Sequence, residues 1–144
     1  MKIYLDTCVW CRPFDKPSGK TIPETEAFFK ILGMVDSDKA TIVGSEVLDV
    51  EVDAVNSEQK KELVKSLMFY SITEKLNEVP GEYKNLIRLG LKIPDASHIA
   101  CALKLGAEYF ISVDKGLLNK RKKINEMYSI KLCSPKEYLE LESE

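Results

Sequence analysis

The sequence predicts an α/β fold in which a mostly parallel sheet lies between layers of helices, and three observations carry that reading. Short runs rich in β-branched and aromatic residues alternate with longer segments whose apolar residues recur at helical spacing. Proline, acid and serine open many of the helical segments, and glycine closes one of them cleanly. No repeat, low-complexity tract or linker interrupts the pattern. With 144 residues, 44% of them hydrophobic, the chain can bury one full core and is too short for two ordinary domains, so residues 1–144 are expected to form one domain.

The elements follow in order. "KIYL", residues 2–5, is a strand candidate that stops at Asp6. "IPETEAFFKILGMVDS" is a helix, with Pro23 in its first turn and Phe28, Ile31, Leu32 and Val35 on one face. "ATIVGS" is a buried strand, and Ser45 is placed to cap a helix through "EVLDVEVDAV". Ser57 likewise caps "SEQKKELVKSLM". "FYSIT" is a strand or a loop between helices, and "EKLNEVPGEYKNLIRLGL" is helical apart from a break at Pro80 and Gly81. "PDASHIACALKLG" is a helix opened by proline and acid and stopped by Gly106. "EYFISVD" is a strand ending on Asp114, "KGLLNKRKKI" a short basic helix, "YSIKLCS" the last strand and "PKEYLELE" the last helix, with only the final "ESE" frayed.

Composition excludes several classes of function. Twenty-one basic and 23 acidic residues leave a formal charge of -2, so no global field draws the chain to nucleic acid or an anionic membrane, and any such attraction is local. The start of the sequence shows neither a signal peptide nor a span-length apolar run, which predicts a cytoplasmic protein without a membrane partner. In that compartment thiols stay reduced, and Cys8, Cys11, Cys101 and Cys133 read as core residues. Cys8 and Cys11 form a Cys-x-x-Cys pair, but it lies too close to the start of the sequence for a thioredoxin-like helix site, and no second pair completes a zinc site.

The acids are more informative. In an open parallel sheet, ligands bind beyond the carboxyl ends of the strands, where Asp6 and Asp114 both fall. Asp95 opens a helix, and Glu46, Asp49 and Glu51 occupy the helix after the second strand. Each acid alone is readily explained as a turn or helix cap contributing about 1 kcal/mol. Strand-end acids after two separate strands, with a helix-opening acid between them, make a shared pocket the better reading.

These residues carry a resemblance. "KIYLDTCVW", "SEVLDVE", "PDASHIACALKLGAEYFISVDKGLL" and "SPKEYL" together, in this order over nearly the whole chain, resemble the PIN-domain nucleases, and among them the small VapC-type toxins and their archaeal relatives. The stretch from Pro94 to Leu118 is the most specific part. The resemblance implies a three-layer α/β/α PIN-like fold and a Mg²⁺- or Mn²⁺-dependent ribonuclease, the toxin of a toxin–antitoxin pair. It also implies Asp6, Asp95 and Asp114 as metal ligands and catalytic acids, a homodimer, and a small antitoxin protein as partner. For the fourth acid it points to Glu51, with Glu46 as competitor; five residues apart on a helix, the two face different ways and do not serve together.

The chemistry agrees with this on independent grounds. Hard divalent cations take oxygen ligands, and four acids are enough to hold one or two. Ser112, two residues before Asp114, is an accessory candidate that bonds an acid or a phosphate. His98 follows Asp95 by three residues and is expected to be structural. Arg12, Lys115, Lys120 and Arg121 flank the acids in sequence and are the candidates for contact with the RNA backbone. Two other readings stay open: a non-catalytic RNA- or protein-binding domain of this fold, and a redox protein built on Cys8 and Cys11.

Overall fold

In a computed structural model that describes residues 1–143, five strands form one wholly parallel sheet. Strand β1 (Lys2–Leu5) leads through α1 (Thr7–Cys11), a 3-10 turn at Arg12–Phe14 and α2 (Thr21–Asp36) to β2 (Thr41–Ser45). Helices α3 (Glu46–Asp53) and α4 (Glu58–Ser71) then lead to β3 (Ile72–Leu76). Helices α5 (Tyr83–Arg88) and α6 (Ile93–Lys104) precede β4 (Tyr109–Ile111), and α7 (Lys115–Leu118) and α8 (Arg121–Met127) precede β5 (Lys131–Cys133). The chain closes with α9 (Pro135–Glu142).

The spatial order β3-β2-β1-β4-β5 puts the reversal of winding at β1. The chain steps outward from β1 to β2 and β3, then crosses back to β4 and β5. Because parallel crossovers are right-handed, these two directions put their helices on opposite faces. Accordingly α1 packs with α2 and α4, α5 packs with α6, and α9 returns from β5 to lie on α2. The three-layer architecture expected from the sequence is therefore present. Its core is the sheet's own Ile3, Tyr4, Leu5, Ile42, Phe110 and Leu132, together with Trp10, Phe28, Leu48, Ile99 and Tyr138 from the helices.

Local signals explain many of the element ends. Ser57 accepts a hydrogen bond from the Lys60 amide, and Ser134 and Glu137 form a reciprocal capping box in front of α9. Helix α6 ends where Gly106 adopts a φ of 77°, with the Gly106 amide bonded to the Leu103 carbonyl and the Ala107 amide to that of Ala102. That is the Schellman arrangement glycine favours, because it has no Cβ to strain.

The structure differs from the sequence reading in several places. Residues 69–71, read as strand or loop, are the end of α4. Residues 74–76, expected to be helical, belong to β3, whose polar sequence "ITEKL" pairs in parallel with β2 through Val43–Glu74, Gly44–Lys75 and Ser45–Leu76. A Cβ at Gly44 would lie 2.8 Å from the Ile72 side chain, so the bare glycine lets this edge strand approach closely. "KGLLNKRKKI" is two helices, broken between Leu118 and Arg121. Ser45 stands at the N-cap of α3 but makes no side-chain cap bond, because its hydroxyl is taken by Tyr4 at 2.5 Å.

Candidate active site

Asp6 and Ser112 are brought side by side by the sheet itself. The Asp6 amide donates to the Ile111 carbonyl at 2.9 Å and the Ser112 amide to that of Cys133 at 3.0 Å, so the ladder continues one residue past the ends of β1 and β4. This is the switch point of the sheet, where such folds open a crevice. Asp6 is 6% exposed and is gripped on both oxygens. The Thr7 amide donates to Oδ1 at 2.8 Å, and the Ser112 hydroxyl donates to Oδ2 at 2.8 Å. Ser112 in turn accepts from the Asp114 amide at 3.0 Å, so one buried hydroxyl links two of the acids.

Glu51 arrives from α3, which packs against α6. Its Oε1 accepts the Thr7 hydroxyl at 2.5 Å and meets His98 Nε2 at 2.5 Å. His98 is 1% exposed, and its other nitrogen, Nδ1, lies 2.7 Å from the Tyr4 hydroxyl. Its Nε2 stands 3.8 Å from Asp6 Oδ1. Asp6, Glu51 and His98 thus offer ligand atoms that all lie within 4.8 Å of one another. Glu46, the competitor for the fourth position, is exposed, and α3 turns Glu51 to this cluster instead.

Asp95, in the first turn of α6, and Asp114, at the start of α7, stand outside that group of ligand atoms, and Asp95 feels the charges of Asp6 and Asp114. Burial, and then the charges of Asp6 and Asp114, push the Asp95 carboxyl up to about 6. Burial also raises Asp6, against the pull of His98 and the Ser112 hydroxyl. Glu51 goes the other way: burial pushes it up, but the hydrogen bonds from His98 and Thr7 outweigh that and hold it below the ordinary glutamate range. The site thus contains a firmly ionised Glu51 beside two acids that resist ionising. Asp114 also caps α7, accepting from the Gly116 amide at 2.9 Å.

The flanking cations divide. Arg12 is turned inward to Asp15 at 2.9 Å and Glu24 at 3.1 Å, the latter an ion pair without hydrogen-bond alignment. Arg121 is paired with Glu137 at 2.7 Å, and Lys120 gives its ammonium to the Gly90 carbonyl. Lys115 is exposed and makes no ion pair among the described residues.

All four cysteines are free thiols. Burial and the Asp6 charge push Cys8 up to about 12, and burial raises Cys11, the opposite of what a reactive thiol requires. A cavity of about 510 Å³ between α3, α4 and β3 lies away from the acids, and its charges are internally paired as Lys65–Asp53 and Lys75–Asp49.

With the geometry described, comparison with known structures decides the fold. The chain superposes on one from VapBC2 of Rickettsia felis, in the structure bound to a DNA fragment from their promoter. The TM-score is 0.61, covering 93% of this chain and 98% of that one at 13% identity. The fold is that of a PIN domain. At that identity the likeness is one of fold. No family model matches the sequence, and no curated protein matches it.

Within the PIN fold, two residues that the sequence reading did not place at the site lie against the acids: Thr7, which it did not weigh, and His98, which it took as structural. Thr7 follows Asp6 directly and reaches Glu51, and His98 lies one turn after Asp95 on the same side of α6. The spacing of Asp95 and His98 was the available signal for the second; nothing in the sequence marked the first. Among the described residues, no helix is long and apolar enough to cross a membrane.

Proposed function

We propose that this protein is a divalent-metal-dependent ribonuclease in which Asp6, Glu51, Asp95 and Asp114 are the acidic ligands. The observation that carries the reading is the cluster at the switch point of the sheet, where Asp6 and Glu51 offer ligand atoms within 4.8 Å of one another and of His98. The charges of Asp6 and Asp114 reach Asp95 as well, whose carboxyl is pushed up to about 6 first by burial and then by those charges. The four proposed ligands, all hard oxygen, suit Mg²⁺ or Mn²⁺. When bound, the cation supplies charge neutralisation at the phosphate and lowers the pKa of the attacking water.

The chain's own residues do the rest. Thr7 and Ser112 hold Glu51 and Asp6 in fixed rotamers, so the acids do not have to be ordered when substrate arrives. Burial of Asp6 lowers the local dielectric, which strengthens its attraction for a cation. Lys115, next to Asp114 and without an ion-pair partner among the described residues, supplies positive charge for the RNA backbone.

By the same fold likeness, we read the protein as the toxin of a toxin–antitoxin pair, a homodimer restrained by a small antitoxin. The VapBC2 assembly favours this. The deciding experiment is thermal unfolding in EDTA against added Mn²⁺, with RNA cleavage measured in parallel. A ligand confined to the folded state stabilises it by about 2.7 kcal/mol at roughly a hundredfold over its dissociation constant. The wild type is expected to gain stability and cleave RNA, and Asp6→Asn with Asp114→Asn to do neither. Asparagine still caps a helix, so a stable but metal-blind variant is the expected control. A wild type indifferent to Mn²⁺ and inert on RNA refutes the reading.

A further inference from the structure

Glu51 is tied to the buried end of a hydrogen-bond chain that crosses three elements. The Ser45 hydroxyl at the end of β2 meets the Tyr4 hydroxyl in β1 at 2.5 Å, Tyr4 meets His98 Nδ1 at 2.7 Å, and His98 Nε2 meets Glu51 Oε1 at 2.5 Å. Ser45, Tyr4 and His98 are each 1% exposed or less. We propose that His98 is a positioning residue for Glu51, and that Ser45 and Tyr4 fix the ring that does the positioning. The proposal rests on the reading of Glu51 as a cation ligand.

The direction of the chain follows from the donors and acceptors available. An ionised carboxylate only accepts, so His98 Nε2 carries the proton toward Glu51 Oε1. In the neutral ring Nδ1 is then an acceptor, and the one donor facing it is the Tyr4 hydroxyl. The Tyr4 oxygen is left to accept from Ser45. Every group in the chain is satisfied, as a buried polar network must be to stabilise rather than cost. Oε1 also receives Thr7, while Oε2 has no hydrogen bond among the described residues and is the oxygen left for a ligand.

Nε2 and Oε1 stand at hydrogen-bond distance, and a ring nitrogen that carries the proton of that bond has no lone pair to offer a cation. The fit of the ring in the core is independent of its bonds: Tyr4 stacks on Phe110 with centroids 5.3 Å apart and meets His98 edge-on at 5.6 Å. Tyr4→Phe therefore removes the hydroxyl and leaves the packing.

The test measures Mn²⁺ affinity by titration calorimetry on metal-free full-length protein, with circular dichroism confirming the fold of each variant. Loss of an outer partner of a ligating residue typically weakens metal binding about 10–100-fold. Tyr4→Phe and His98→Leu are expected to fall in that range, and His98→Gln, whose amide can still donate to Oε1, to recover most of the loss. If both fall within twofold of wild type while Glu51→Gln loses binding, positioning is wrong and the acidic site stands. If Glu51→Gln binds as wild type does, Glu51 is not a ligand and both readings fall. Equal losses in His98→Gln and His98→Leu would assign the effect to packing and overturn the proposal. The chain has one histidine, so nitrogen NMR of the wild type reports His98 alone. Nε2 should stay protonated with and without Mg²⁺; its deprotonation on saturation would make His98 a ligand and overturn the proposal.

Discussion

Asp95 sits in an environment that disfavours its charge in the absence of a cation. Its carboxyl, raised to about 6, holds its proton more tightly in the folded protein than in the unfolded chain. The resulting contribution to stability is present below the ordinary aspartate value of 3.8 and is lost as pH rises through about 6. Metal-free Asp95→Asn should therefore be more stable than wild type at pH 7.5, with the advantage shrinking toward pH 4.5; chemical denaturation in EDTA across that range measures it. Added Mn²⁺ should reverse the order at pH 7.5. The cysteines give a second prediction at this scale. With Cys8 raised to about 12, iodoacetamide at pH 8 should label the native protein far more slowly than the urea-unfolded protein, as followed by mass spectrometry. Equal rates would reopen the thiol reading. Asp6 and Asp114 were legible as candidates because strand ends in a parallel sheet are where ligands bind, whereas the contact of His98 with Glu51 was not, because a buried histidine is ordinarily structural and its partner lies 47 residues away.

Among the elements, α3 matters most, because it carries Glu51 to the site on a helix anchored by Leu48 and Val52, both wholly buried. Leu48→Ala should cost about 2–5 kcal/mol in urea denaturation, the usual range for truncating a buried leucine. The sequence revealed α2, α6 and α9 through spacing, prolines and caps, and β1, β2, β4 and β5 through apolar content. It left β3 open, with residues 69–73 read as strand or loop and 74–76 as helix, because Thr73, Glu74 and Lys75 are exposed and the composition suits either state. That strand exists because β2 offers it an open edge, which is tertiary information. Its charged residues also discourage a further strand from adding to the sheet.

At the scale of the whole molecule, charge is nearly balanced at -2, so attraction for RNA depends on where the unpaired cations lie. Arg12 and Arg121, expected to touch RNA, are each committed to carboxylates of the same chain, and Lys115 is left as the exposed cation beside the acids. If it contacts one phosphate, Lys115→Ala should weaken binding to a non-cleavable single-stranded RNA. The slope of log affinity against log salt should then become shallower by about 0.7, the value for a single neutralised phosphate. An unchanged slope would place the RNA on another face. The three-layer architecture follows from the alternation of strands and helices and was foreseeable from the sequence, whereas the strand order β3-β2-β1-β4-β5 is known only from the structure. The pairing of individual surface ions was not foreseeable either, since lysine and arginine select partners only once the backbone has brought them near.

Two of the four proposed ligands also start helices. Asp6 accepts the first amide of α1, and Asp114 accepts two amides at the start of α7, whereas Asp95 makes no cap bond at all. A descendant of this chain that abandoned its chemistry would still be under pressure to retain an aspartate or a near equivalent at positions 6 and 114, simply to start those helices. Position 95 would drift first. In a lineage, then, the persistence of Asp95 is the informative mark of a working site, and a chain that keeps the other acids but has replaced this one has the appearance of an enzyme that has retired.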